Sequence, residues 1–120
     1  MYFYTNHSKT HNLRIFALQK LKKLESTHLL ELATKYGSPL YVYDTDKISS
    51  QYNRLTTAFS GVKNLKLIYA VKALSNINIL RFFKDLGAGL DTVSIQEVQL
   101  SLTTGIDPKK IIYKIGRAHV

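Results

Sequence analysis

Two side chains in this sequence stand where a fold does not ordinarily put them. "LIYAVKALSN", residues 67–76, is an apolar run with Lys72 set into it, and "GAGLDTVSIQE", residues 87–97, carries Asp91 inside an otherwise apolar stretch. A charge taken out of water costs several kcal/mol unless it is paired or loses its charge. A lysine held in an apolar setting has a depressed pKa available to it, and its neutral amine condenses with carbonyls to give a Schiff base. Pyridoxal phosphate is the aldehyde most often held in this way. The competing reading is that Lys72 snorkels from a strand end into water. Asp91 could hold a Schiff-base lysine protonated or orient it, or it could form a structural ion pair.

The elements that must position these groups can be read from apolar spacing and from glycine and proline punctuation. Around Lys72, period-two alternation predicts a strand over 65–71, with Ile68, Ala70 and Lys72 on one face and Leu67, Tyr69 and Val71 on the other. Both faces are apolar, as in a parallel sheet covered on each side. Lys72 then falls at the carboxyl end of the strand, where α/β folds gather ligands and catalytic groups. Ala70, one step below on the same face, leaves room for a flat ring. A second strand over 90–93 brings Asp91 within reach of Lys72.

The remaining pattern repeats the alternation. A short helix stopped by Gly37, a turn at Ser38-Pro39 and a strand from Leu40 to Tyr43 come first. Asp44 or Thr45 can cap the next helix, with Ile48, Tyr52, Leu55 and Phe59 at helical spacing and Gly61 at its end. Helices are expected from Asn76 to Leu86, closed by Gly87, and from Ile95 to Thr104, closed by Gly105; a third strand begins at Ile111. Strands separated by helices of this length imply βαβ units and an α/β fold with a parallel sheet.

Other features have plainer explanations. Ser94 and Glu97 form S-x-x-E ahead of a helix, a capping box. Gly87 and Gly89 lead into a strand and lack the third glycine, where Thr92 stands, so they make no dinucleotide fingerprint. His7 and His11 are four apart without a third ligand, and no metal site is expected.

Composition narrows the class. The chain has 120 residues, 45% hydrophobic, enough for a modest core. Cysteine is absent, which excludes disulfides, a thiol nucleophile and cysteine-based zinc sites and points to a reducing cytoplasm. Seventeen Lys and Arg against eight Asp and Glu give a formal charge of +9. These charges are spread along the chain, densest at Lys20, Lys22 and Lys23, with no basic stripe interleaved with aromatics; a solvated basic face is expected, not nucleic-acid binding. No run approaches the roughly 18 apolar residues of a membrane span, and the first 16 residues make a poor signal peptide.

Four blocks, "GSPLYVYD", "YAVKALSN", "GAGLDTVSIQE" and "GIDPKKIIY", in this order and spacing, resemble the amino-terminal part of the diaminopimelate decarboxylase family, within the pyridoxal-phosphate decarboxylases that share the alanine-racemase-like barrel. The resemblance covers roughly residues 27–113. It implies the first βα units of a TIM-type (β/α)8 barrel, truncated, preceded by a β-domain strand over 40–44. It also implies pyridoxal 5'-phosphate carried by Lys72 as a Schiff base, Asp91 in the cofactor pocket, a small amino-acid substrate and a homodimer when full length. The activity implied is decarboxylation of meso-diaminopimelate to L-lysine and carbon dioxide. An ornithine- or arginine-type decarboxylase, or a racemase of the same fold, is the related alternative, and a non-catalytic binding relative is the alternative of another class. Leu74 and Gln96 depart from the family's more frequent asparagine and glycine.

The expected organisation is a basic leader over 1–26, a lead-in helix and β-domain strand over 27–46, and a partial cofactor-binding barrel over 47–113. The phosphate-binding loop and the partner-subunit residues of the family are expected later than this chain reaches, so the 120 residues alone are expected to be inactive. "KIGRAHV", residues 114–120, matches nothing in the family pattern. Back-translated with the codons AAG ATC GGA AGA GCA CAC GTC, it contains a common sequencing adapter, so the natural sequence is expected to end its match near Tyr113 and Arg117 and His119 to carry no function.

Overall fold

The computed structural model describes residues 2–6, 26–114 and 116. The chain divides into two compact units, residues 1–51 and 52–120.

In the first unit, strand β1 (Tyr2–Asn6) pairs antiparallel with β2 (Leu40–Asp44). β1 lies in a stretch to which sequence patterning gives no element. Between the two strands comes helix α1 (Ser26–Tyr36). Its buried residue Leu32 packs with Tyr36, Leu40 and Val42. Gly37, at φ 84°, ends α1 in the left-handed region that glycine enters without steric cost. Helix α2 (Thr45–Ala58) starts directly from β2 because Asp44 caps it, its Oδ1 accepting from the amides of Asp46 and Lys47 at 2.9 and 3.0 Å.

The second unit is a three-stranded parallel sheet in the order β3 (Ile68–Ala70), β4 (Gly89–Thr92), β5 (Ile111–Tyr113). Helix α3 (Ile77–Asp85) connects the first two strands and α4 (Ile95–Leu102) the next two. Asn76 caps α3 by accepting from the Asn78 amide at 2.9 Å. The capping box at α4 forms, with one difference. Ser94 Oγ accepts from the Glu97 amide at 3.2 Å, but the Glu97 carboxylate reaches the amide of Val93, one residue before the cap, at 2.8 Å.

The core lies on one side of this sheet. Val71, Leu80, Leu90 and Ile106 are buried together, and Tyr69, Phe83, Leu100 and Ile111 pack against them. The opposite face carries Ile68, Ala70, Gly89, Asp91 and Ile112 by strand alternation, and there Ile68 is 40% and Ile112 43% exposed. The expectation of a strand apolar and covered on both faces is therefore corrected for the described residues: among them the helices cover one face of the sheet, and the first paired residue is Ile68, not Leu65.

Candidate functional site

Lys72 does not stand on the strand. β3 ends at Ala70, the last residue paired with β4, and Val71–Ala73 turn through one 3-10 helix closed by the Leu74 amide on Val71 O at 3.1 Å. Val71 is wholly buried and anchors this turn in the core, which leaves Lys72 exposed at its apex. The expected continuation of the alternation to Lys72 is thus corrected: the side chain leaves from an exposed turn just beyond the carboxyl end of β3. The amine keeps the reach of a four-carbon chain, with its Cα held from below.

Asp91 occupies the middle strand. Its Cα is in register with Ala70 on one side and Ile112 on the other, so the three residues form one layer across the sheet. The side chain is only 13% exposed and pairs with Lys114, whose Nζ lies 2.6 Å from Asp91 Oδ2. Asp91 makes its ion pair with Lys114, a lysine for which the sequence pattern signals no role, and not with Lys72. Asp91 Oδ1 is buried and has no hydrogen-bond partner among the described residues. A buried carboxylate oxygen without a donor is costly, and a protonated group brought into this layer would satisfy it.

Ala70 lies between them, directly before the Lys72 turn and opposite Asp91. Its single methyl leaves the layer low at that point. Gly89 does the same one layer down for another reason: a Cβ there would stand 2.8 Å from Lys110 O and 3.4 Å from Ile68 Cγ1. The dinucleotide motif is the wrong frame for Gly89. Its place two residues before Asp91, on the same face by alternation, is the sequence signal that β4 and β5 approach closely here. Thr92, fully buried, locks the top of the layer by donating from Oγ1 to Ile112 O at 3.0 Å.

The primary amine, the low alanine step and the orphaned acceptor are a donor set that fits pyridoxal phosphate. An aldehyde can reach Lys72, and a flat ring can lie over Ala70. No group of three or more His, Asp or Glu residues able to hold a metal occurs among the described residues. His7, His11, Arg117 and His119 fall outside them. None of the described helices is long and apolar enough to cross a membrane. A cleft of about 520 Å³ opens between Tyr52, Lys66, Ile68, Gly89, Lys110 and Ile112 at the amino ends of the strands, opposite the end that carries Lys72.

Comparison with known proteins places the chain in a family. A family model described as the pyridoxal-binding domain of pyridoxal-dependent decarboxylases matches residues 45–118. Diaminopimelate decarboxylase of Helicobacter pylori is 46% identical over 89 residues, which are 73% of this chain and 22% of that one. The crystal structure of diaminopimelate decarboxylase from M. jannaschi superposes with a TM-score of 0.64 at 31% identity, over 71% of this chain and 21% of the other. That of a lysine/ornithine decarboxylase from Vibrio vulnificus, complexed with cadaverine, gives 0.64 at 29% identity, over 81% and 27%. The chain spans about a fifth of the length of the curated relatives it matches, and the relatives are TIM-type barrels of which it forms the leading βα units. On the extent of the family match and on these relatives, the chain belongs to the pyridoxal-dependent decarboxylases.

Proposed function

We propose that this chain is the leading segment of a diaminopimelate decarboxylase, a cytoplasmic and homodimeric enzyme that releases carbon dioxide from meso-diaminopimelate to give L-lysine. The observation that carries the reading is the buried, unpartnered Oδ1 of Asp91, one strand from the turn that presents Lys72, inside the stretch that matches a pyridoxal-binding domain. When bound, pyridoxal phosphate supplies an aldehyde for an amine and a ring that accepts the electron pair left as carbon dioxide departs.

The chain's own residues have distinct parts in this. Lys72 would hold the cofactor through its side-chain amine and, when that amine is not engaged, would carry a proton to the substrate carbon. Ala70 keeps the space beside it open. Asp91 would offer its buried Oδ1 as acceptor to a protonated group of the cofactor brought into the layer. The 29%-identical lysine/ornithine decarboxylase superposes equally well, so a diamine-producing decarboxylase of the same fold is the second reading; turnover of ornithine and lysine in place of diaminopimelate would select it.

Residues 114–120 are proposed to be adapter sequence, and on this reading the Lys114 side chain is no part of the natural site. The amide of Lys114 donates to Thr92 O at 2.8 Å, a ladder bond that any non-proline residue would make. Only the pairing with Asp91 depends on the side chain. Since the family match runs to residue 118, the codons at the source locus decide which residues occupy this register.

The test uses the complete enzyme that contains this segment. Borohydride reduction in the presence of pyridoxal phosphate should leave the label on Lys72, and Lys72→Ala should bring decarboxylation down to that of a blank. A Lys72→Ala protein that still turns over diaminopimelate would overturn the proposal.

A further inference from the structure

Tyr69 is on the opposite face of the sheet from Asp91, among the residues packed under the helices. Contacts of different kinds hold it there. Its ring stacks on Phe83 of α3, with centroids 4.0 Å apart and planes 15° from parallel. Its hydroxyl donates to the carbonyl of Leu74 at 3.2 Å. The bond closes a loop that contains the whole turn bearing Lys72. With the Leu74 amide on Val71 O and Asn76 capping α3, the segment from Tyr69 to Asn78 is closed by three successive hydrogen bonds.

We infer that Tyr69 is a positioning residue for Lys72: its phenol staples the Lys72 turn to the body of the βα unit and sets where the amine returns after each displacement. This rests on the reading of Lys72 as the cofactor-bearing lysine. The physical argument is that Lys72 is exposed at the apex of its turn, so within this segment the reach of its amine depends on how firmly its backbone is held. A long side chain on a mobile turn spends much of its time away from the productive position. The acceptor is the main-chain carbonyl of Leu74, so the replacement of the family's more frequent asparagine by leucine leaves the tether intact.

Tyr69→Phe removes the hydroxyl and keeps the ring on Phe83. In the complete enzyme, hydrogen exchange of the amides of residues 72–75 should quicken about threefold to tenfold, the range set by one neutral hydrogen bond, while the amides of β4 stay unchanged. Covalent capture of pyridoxal phosphate at Lys72, trapped with borohydride at a limiting cofactor concentration, should slow by a similar factor. kcat should fall with it and the substrate KM should not move, because the hydroxyl does not touch substrate. Exchange at 72–75 that is unaltered by Tyr69→Phe, or capture that is unaltered while exchange quickens, overturns the inference. So does a loss that extends to β4, which would make Tyr69 a general support of the fold. Absence of label on Lys72 in the unsubstituted enzyme is a separate result: it overturns the assignment of Lys72, and the exchange measurement still reads the tether.

Discussion

The two faces of the β3–β4–β5 sheet are made from the same short strands and have opposite fates. Towards the helices, Val71 and Leu90 are 0% exposed and locked against Leu80 and Ile106. On the other side, Ile68 and Ile112 are 40% and 43% exposed, next to a glycine, an alanine and a carboxylate. The helix-facing side is complete in these residues because each βα unit brings its own cover. The open side is the one a (β/α)8 barrel turns inward, and its cover has to come from strands elsewhere in the barrel. Local sequence therefore suffices to build the covered side, and the candidate site borders the face whose cover lies elsewhere in such a barrel.

The largest expected effect tests the covered side. Leu90→Ala should cost about 2–5 kcal/mol, the usual range for truncating a buried leucine, as read by denaturant unfolding of the complete enzyme. Ile68→Ala sharpens the contrast. In a closed barrel it should approach the cost of Leu90→Ala, whereas in the 120-residue chain it should be below about 1 kcal/mol because the side chain is already partly solvated. Similar costs in both settings would remove the distinction between the faces.

A smaller effect is expected at Gly89. A methyl group there would press on the main-chain oxygen of Lys110 at 2.8 Å, and backbone cannot swing aside as a side chain can. Gly89→Ala should destabilise by about 1–3 kcal/mol and weaken cofactor retention by widening the β4–β5 spacing under Asp91. A variant that melts and binds pyridoxal phosphate like the parent would show that the strands part without cost. The smallest effect is at the α4 cap: Ser94→Ala should cost about 1 kcal/mol and leave borohydride labelling of Lys72 unchanged. Loss of labelling in that variant would give Ser94 a part in the site beyond capping.

The amino-acid sequence by itself determines the local elements of this protein. Glycine and asparagine punctuation locates α3 and α4 to within a residue or two, because caps and left-handed glycines act over four or five residues: Asn76, Ser94, Gly87 at φ 91° and Gly105 at φ 76° all serve in the roles their types imply. The parallel order of β3, β4 and β5 follows from the helices between them. Lys72 and Asp91 are singled out by the cost of charge among apolar neighbours. Tertiary structure decides the rest. It ends β3 at Ala70 and puts Lys72 on an exposed turn, since Val71 is drawn into the core and the chain bends into a 3-10 turn there while β4 runs on to Thr92, which no alternation in β3 can reveal. It pairs Asp91 with Lys114, 23 residues away, and leaves Oδ1 without a donor among the described residues. It brings the Tyr69 hydroxyl to Leu74 O, a contact that needs α3 folded back against the sheet. Spacing along one strand reports the local backbone period, whereas these contacts depend on the register between strands and on what packs across them.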